Sequence, residues 1–184
     1  MMNRIVVVTV GKTHSGKTTF AKQLELQLKN AIIIDQDNHA SFINAYYKSL
    51  RPKEGPNTLK YAVTQTIVDY AVNQTDCHLV LCNSNLERKG RMDLLGYFRN
   101  KGFITILVYF DIPDDELYLR ITESQRSKDI FRSASTFEDV LARQQKSEAS
   151  APNISEADHL FVVSRNEEDV PMVIKKITEI PELM

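Results

Sequence analysis

The chain has 184 residues, 42% hydrophobic and 26% charged, which suits one domain with a sizeable core. Its net charge of -1, from 23 basic and 24 acidic residues, gives no overall pull toward nucleic acid or a membrane surface. No apolar run is long enough to span a bilayer, no signal-peptide cleavage pattern follows the first one, and the two cysteines, Cys77 and Cys82, lack metal-ligand spacing, so a soluble cytoplasmic protein with free thiols is expected.

The first apolar run, Ile5–Val10, reads as a central strand of a parallel sheet, apolar on both faces. Gly11-Lys12-Thr13-His14-Ser15-Gly16-Lys17-Thr18 follows and fits the phosphate-binding pattern G-x-x-x-x-G-K-[ST] at every fixed position. A helix is predicted over 17–29, with Phe20, Ala21, Leu24 and Leu28 on one face and Asn30 as its cap. Residues 31–34 read as a second buried strand ending on Asp35-Gln36-Asp37, and a helix is predicted from there to about Leu50. Two prolines and a glycine make 51–57 a loop. A helix over 59–72 is predicted to bury Leu59, Val63, Ile67, Tyr70 and Ala71.

Residues 79–82 form the third predicted strand, ending at Asn83-Ser84-Asn85. The helix over 88–101 turns Met92, Leu95 and Phe98 inward and stops at Gly102. Residues 103–110 are the fourth strand. Pro113 opens the next helix, supported by Leu117, Leu119 and Ile121. The polar stretch 123–135 contains Arg126, Lys128 and Arg132. A helix over 137–148 follows a Ser135 or Thr136 cap, 159–163 is the fifth strand, and a helix over 170–180 closes the chain. Alternating strands and helices predict an α/β fold with a five-stranded parallel sheet flanked by helices, right-handed crossovers, and ligands at the carboxyl ends of the strands.

Those strand ends are where the polar residues gather. Glycines turn backbone N–H groups around an anion, and the helix N-terminus adds positive potential. Gly11, His14, Ser15, Gly16, Lys17, Thr18 and Thr19 are therefore the expected nucleotide site, with Lys17 on the β- and γ-phosphates and the Thr18 hydroxyl on Mg²⁺. Of Asp35 and Asp37, one would take the acceptor hydroxyl and the other would order water around Mg²⁺; either would also serve as a helix cap. Asn83 stands where many phosphate-loop enzymes have an acid, and it also suits a polar turn. Arg120, Arg126, Lys128 and Arg132 suit a lid that closes over the nucleotide, with Arg120 also able to face the base. His14 sits at a variable loop position and His39 on a helix surface. Tyr46, Tyr47, Lys48, Arg51 and Lys53 would serve packing, solvation or the acceptor.

Together the phosphate loop, Ile32-Ile33-Ile34-Asp35-Gln36-Asp37, the run from Leu79 to Leu86 with Arg88 and Arg91, and Val108-Tyr109-Phe110-Asp111-Ile112-Pro113 leading to Leu119-Arg120 carry a resemblance. Glu156-Ala157-Asp158 belongs to it as well. The chain resembles small phosphate-loop kinases of the polynucleotide kinase and zeta-toxin group, with a nucleoside-monophosphate-kinase-like fold. The resemblance implies Lys17, Asp37 and Arg126 as catalytic residues, with Asp37 as general base. Beside the resemblance, the residue reading puts Arg120 at the nucleotide, Thr18 at the metal through the loop pattern, and Asp35 at the metal as the second strand-end carboxylate. Two positions depart from it: Ala40 stands where the group often has arginine, and Asn83 where an acid is common. One domain over 1–184 is expected, with a lid at about 123–135 and an acceptor-binding segment at about 38–74. The expected activity is transfer of the γ-phosphoryl group of Mg-ATP to a hydroxyl of a small metabolite, with no membrane partner and nucleic acid not favoured. The alternatives are a 5′-hydroxyl polynucleotide kinase and a non-catalytic ATP-binding regulator. No Asn-Lys-x-Asp guanine motif is present.

Overall fold

β1 (Ile5–Val10) has a strand on each side, and that position explains its composition. In the computed structural model, which describes residues 3–131, 135–147 and 149–182, β1 pairs with β3 (His78–Leu81) and with β4 (Ile104–Phe110). β2 (Ala31–Ile34) and β5 (His159–Val163) form the edges, giving an all-parallel sheet in the order β2-β3-β1-β4-β5. Every residue of β1 is buried. Ile5 and Val7 enter one core with Phe20, Leu24, Leu117, Leu141 and Ile177. Val6, Val8 and Val10 enter the other with Val68, Leu95 and Phe98. Full burial of such a side chain is worth about 1.5–3 kcal/mol, which makes the strand the centre of both layers. The one polar member, Thr9, gives its hydroxyl to the carbonyls of Leu81 (3.3 Å) and Asn83 (2.9 Å).

Seven helices connect and cover the strands among the described residues: α1 (Lys17–Gln27), α2 (Gln36–Tyr46), α3 (Thr58–Gln74), α4 (Arg88–Asn100), α5 (Asp114–Glu123), α6 (Phe137–Lys146) and α7 (Asn166–Glu179). α3 and α4 lie on one face; α1, α5, α6 and α7 lie on the other. α4 stops where its glycine predicts. Gly102 has φ 78°, its N–H meets the Arg99 carbonyl at 2.9 Å, and the Phe103 N–H meets the Phe98 carbonyl at 3.1 Å. The Phe98 and Phe103 rings pack across this stop, 5.3 Å apart, the hydrophobic contact that completes such a cap.

Several boundaries and faces differ from the sequence expectation. α1 ends at Gln27, and Asn30 stands beyond its cap in a left-handed conformation, φ 60°. α2 ends at Tyr46; Tyr47 still donates its N–H to the Ile43 carbonyl at 2.8 Å but leaves helical dihedrals, and Lys48–Leu50 continues as a 3₁₀ turn. α3 buries Thr64, Val68, Ala71 and Val72, whereas Ile67 and Tyr70 are exposed, because α3 is apolar around much of its circumference and periodicity alone does not select the packed stripe. In α4 Arg91, not Met92, joins Leu95 and Phe98 inside. Leu119 points outward, a half-turn from Leu117 and Ile121. β3 starts one residue early, since the buried His78 accepts the Ile5 N–H through Nδ1 at 3.1 Å. Thr136 caps α6 in a reciprocal box with Asp139; Glu148 lies outside the described residues. α7 begins four residues before Val170, where Asp169 accepts the N–H groups of Ser164 and Arg165, both at 2.8 Å.

Candidate active site

Two glycines shape the loop between β1 and α1. A Cβ on Gly11 would lie 2.9 Å from the Phe110 Cβ, so no larger residue fits there without movement. Gly16 has φ 98° and forms the N-cap of α1, which brings the first N–H groups of the helix to the loop's mouth. His14 also adopts a left-handed conformation, φ 58°. The loop is tied down from outside. The Gly11 N–H meets the Ser84 carbonyl at 2.9 Å, the Thr13 N–H meets Gln144 Oε1 at 2.8 Å, and Lys12 Nζ pairs with Asp114 at 2.5 Å. Lys17 folds back: its Nζ donates to the Lys12 carbonyl and to Ser15 Oγ (3.1 Å). Burial pushes the Lys17 ammonium down to about 8; Arg126 adds to that, while the carboxylates of Asp37 and Asp35 oppose it.

Next to the loop, β2 ends at Asp35, whose Oδ1 accepts the Asp37 N–H at 2.8 Å. Asp35 is thus the N-cap of α2, and Asp37 lies in the first turn with its carboxylate available to other groups. Burial raises the Asp35 carboxyl above the ordinary range, against the lowering effect of that N–H. Asp37 Oδ2 receives the Arg126 guanidinium at 2.6 Å. Arg126 also lies over the Phe137 ring, 5.2 Å from its centroid, and the His14 ring meets Phe137 edge-on at 4.7 Å. Burial, with Arg126 and Lys17 nearby, lowers the His14 imidazole, so it is held neutral. Asn44 ties the Arg126 segment to α2, donating through Nδ2 to the carbonyls of Asp129 and Phe131, and accepting Arg51 Nη1 at 2.9 Å.

A cavity of about 760 Å³ collects Ser15, Lys17, Thr18, Asp35, Asp37 and Arg126, so the separately predicted residues do share one space. Gly16 and Thr19 line it as well. Two of the expected nucleotide contacts stand differently. Gly11 spends its N–H on Ser84 and faces a smaller cavity of about 230 Å³ behind the loop. Arg120 spans Glu116 and the His14 carbonyl (3.3 Å) outside the cavity lining. Arg132 lies outside the described residues. Asn83 uses its side-chain oxygen for the Gln36 N–H at 3.3 Å.

The residue beside the Thr18 hydroxyl is instead Cys82, with Sγ 3.6 Å from Oγ1. Sequence reading missed it because a cysteine ending an apolar strand looks like core. The signal was register: Ile34 pairs with Leu81, so Asp35 and Cys82 leave adjacent strands at the same level. Burial, with the Asp35 charge adding, pushes the Cys82 thiol up to about 11, which keeps it protonated. A second missed feature lies beneath the loop after β3. Arg91, fully buried in α4, makes a double contact with the equally buried Glu156 at 2.9 and 3.1 Å. It also donates to the carbonyls of Asn85 (3.1 Å) and Leu86 (2.7 Å), fixing that loop in place. Burial alone would raise the Glu156 carboxyl, but Arg91 and the Asn153 N–H hold it below the usual range.

Residues 6–147 match the family described as an AAA domain. No curated protein matches the sequence. Among solved structures the chain is similar to a sugar kinase from Janibacter sp. HTCC2649, at 18% identity over 95% of this chain and 92% of that one, with a TM-score of 0.62. It is similar to Kti12 from Chaetomium thermophilum, solved with ADP-AlF3, at 17% identity over 94% and 96%, TM-score 0.64. It is also similar to the APS kinase CysC of Mycobacterium tuberculosis, solved with AMPPNP and APS, at 17% identity over 99% of each chain, TM-score 0.60. The five-stranded parallel sheet flanked by helices is the fold of these phosphate-loop kinases. No helix among the described residues is long and apolar enough to cross a membrane.

Proposed function

The chain belongs to the AAA domain family, and from that premise we propose that it is an ATP-dependent phosphotransferase acting on a hydroxyl of a small metabolite. One observation carries the reading: Lys17 and Thr18 share a cavity with a carboxylate, Asp37, that an arginine from a separate segment already touches. Lys17 leaves the Lys12 carbonyl for the β- and γ-phosphates, and the N-terminus of α1 supports the same charge. Mg²⁺ suits the donors at hand, since it takes one or two protein oxygens and keeps phosphate and water for the rest. The Thr18 hydroxyl and Asp35 would be those oxygens, and the ion would supply positive charge against the transferring group. Asp37 orients the acceptor hydroxyl and accepts its proton.

Arg126 has two states in this scheme. At rest it neutralises Asp37; with nucleotide present it moves to the γ-phosphoryl oxygens and releases the base. The segment after α5 that carries it acts as the lid, and 38–74 forms the acceptor side; the Asn44 bonds to Asp129 and Phe131 support a coupling between them. The narrower kinship with polynucleotide kinases and zeta-toxin kinases rests on the motifs. A second reading, an ATP-binding regulator without phosphotransfer, is favoured by Cys82 at Thr18, where a thiol gives the metal no charge.

Release of ADP separates them. The protein is incubated with Mg-ATP and panels of nucleosides, sugars, vitamins and 5′-hydroxyl oligonucleotides. Acceptor-dependent ADP release that Asp37→Asn abolishes supports the transferase. Nucleotide binding with no acceptor-stimulated release supports the regulator.

A further inference from the structure

A second cavity, of about 880 Å³, opens off the phosphate site and shares Gln36, Tyr61, Asn83, Ser84, Val140 and Gln144 with it. That volume suits a small molecule. α3 forms one wall, the loop after β3 and the start of α4 form the other, and Ile34, Val68 and Leu81 form an apolar floor. A ligand lying here would reach the phosphate site past Gln36 and Asn83, beside Asp37.

The charges decide what it accepts. A buried phosphate or carboxylate needs cationic or N–H donors to replace its lost water. The phosphate cavity has them in Lys17, Lys22, Lys60 and Arg126, against Asp35 and Asp37. The second cavity has two arginines, and the interior one, Arg91, is committed. A guanidinium has five N–H donors. Arg91 directs Nε to Glu156, Nη1 to the carbonyls of Asn85 and Leu86, and Nη2 to Glu156 and Ser150. Every donor is used within the protein. That leaves Arg143 on the rim, facing a lining that also carries Glu87 and Asp93. Of the remaining polar groups, Gln36, Gln65 and the Tyr61 hydroxyl are neutral and suit hydroxyls and amides, whereas the Thr64 hydroxyl is held by the Lys60 carbonyl and His39.

We propose that this second cavity is the acceptor site and that it takes a hydroxyl compound bearing no phosphate or carboxylate, with a neutral or amine-bearing body. The identification as an acceptor site rests on the phosphotransfer reading above; the ligand class rests on the lining alone. Exclusion of anions follows from the committed Arg91, which leaves the interior of the cavity no cationic donor to replace an anion's lost water; the two exposed rim carboxylates add only weakly to it.

The test uses the full chain with Mg-ATP for turnover, and with a non-hydrolysable ATP analogue for calorimetric binding. The probes are uridine, myo-inositol and glucosamine against shikimate, glycerol 3-phosphate and a 5′-hydroxyl oligonucleotide. We expect binding by at least one of the first three, at least 100-fold tighter than by any of the second three. Gln65→Trp, an exposed substitution at the rim, should weaken that binding at least tenfold and leave affinity for the ATP analogue within twofold. A preferred anionic or polynucleotide ligand overturns the inference, as does binding that Gln65→Trp leaves unchanged. Failure of all three neutral and amine-bearing probes to bind overturns it too. Turnover of an anionic acceptor would sink the ligand class and keep the kinase; neutral binding with no ADP release would keep the ligand class and sink the kinase.

Discussion

The phosphate cavity and the cavity beside it share six residues, yet they treat charge in opposite ways. In the first, Lys17 and Arg126 are parked on groups they can leave, a backbone carbonyl and the carboxylate of Asp37. In the second, Arg91 is bound on every donor, to the buried Glu156, to backbone carbonyls and to the half-buried Ser150 hydroxyl. A cation free to move to a ligand is held by groups it can leave; a cation committed to structure has every donor occupied. Under the proposed phosphotransfer, arginine is machinery at 126 and masonry at 91, and exposure separates them: the Arg126 side chain is 34% exposed and that of Arg91 is 0%.

That contrast can be broken from either side. The largest effect is expected from Asp37→Asn, which removes the proposed base and the carboxylate paired with Arg126 together. Turnover should fall by roughly 10²–10⁴-fold, while calorimetry with an ATP analogue finds binding kept or strengthened because Arg126 is released. Next comes Glu156→Ala. Removing one partner of a buried pair costs about 3–5 kcal/mol, read as a lower urea midpoint. The corresponding change at the exposed pair, Asp37→Asn, should lower stability, read from the same midpoint, by no more than about 1 kcal/mol.

A titration sharpens the comparison further. Lys17 is pushed down to about 8 by burial, and bound phosphates would restore its charge. Above that pH nucleotide binding must take up a proton, so affinity should fall by about tenfold per pH unit at most. Calorimetry in buffers of different ionisation heat measures the uptake; affinity that stays level from pH 7 to 9.5 would contradict a Lys17 contact. Glu156 works in the other direction. Its folded value lies below its ordinary 4.5, so the stability it confers is present above that value and is lost as pH falls through the lowered folded one. The smallest effect is expected from Asp93→Lys. An exposed charge at the rim should change binding of an anionic probe by well under 1 kcal/mol, and the change should vanish at high salt.

Much of the fold was legible because its causes are local. Ile5–Val10 can be stable only with both faces covered, and the phosphate loop after it has a spacing with one physical use. Gly102 stopped α4 where a left-handed residue was needed. What stayed hidden depended on tertiary choice. Nothing local tells α3 to bury Val68 rather than Ile67, or α4 to bury Arg91 rather than Met92. Arg91 looks like a solvated helix charge until Glu156, 65 residues later, is brought beneath it. Cys82 looks like packing until strand register sets it beside Thr18. Asp35 and Asp37 were both visible; which one capped α2 was decided by a single backbone turn.

The separation of Arg91 from Glu156 also has a temporal meaning. A ribosome adding about 5–20 residues per second takes roughly 3–13 seconds to travel from one to the other. During that interval the guanidinium beneath the loop after β3 has no carboxylate to meet. The wall of the second cavity can settle only when residue 156 arrives, beyond the segment 6–147 that matches the family. The loop after β1 waits as well, because Asp114 and Gln144, which tie it down, come from the same stretch of chain.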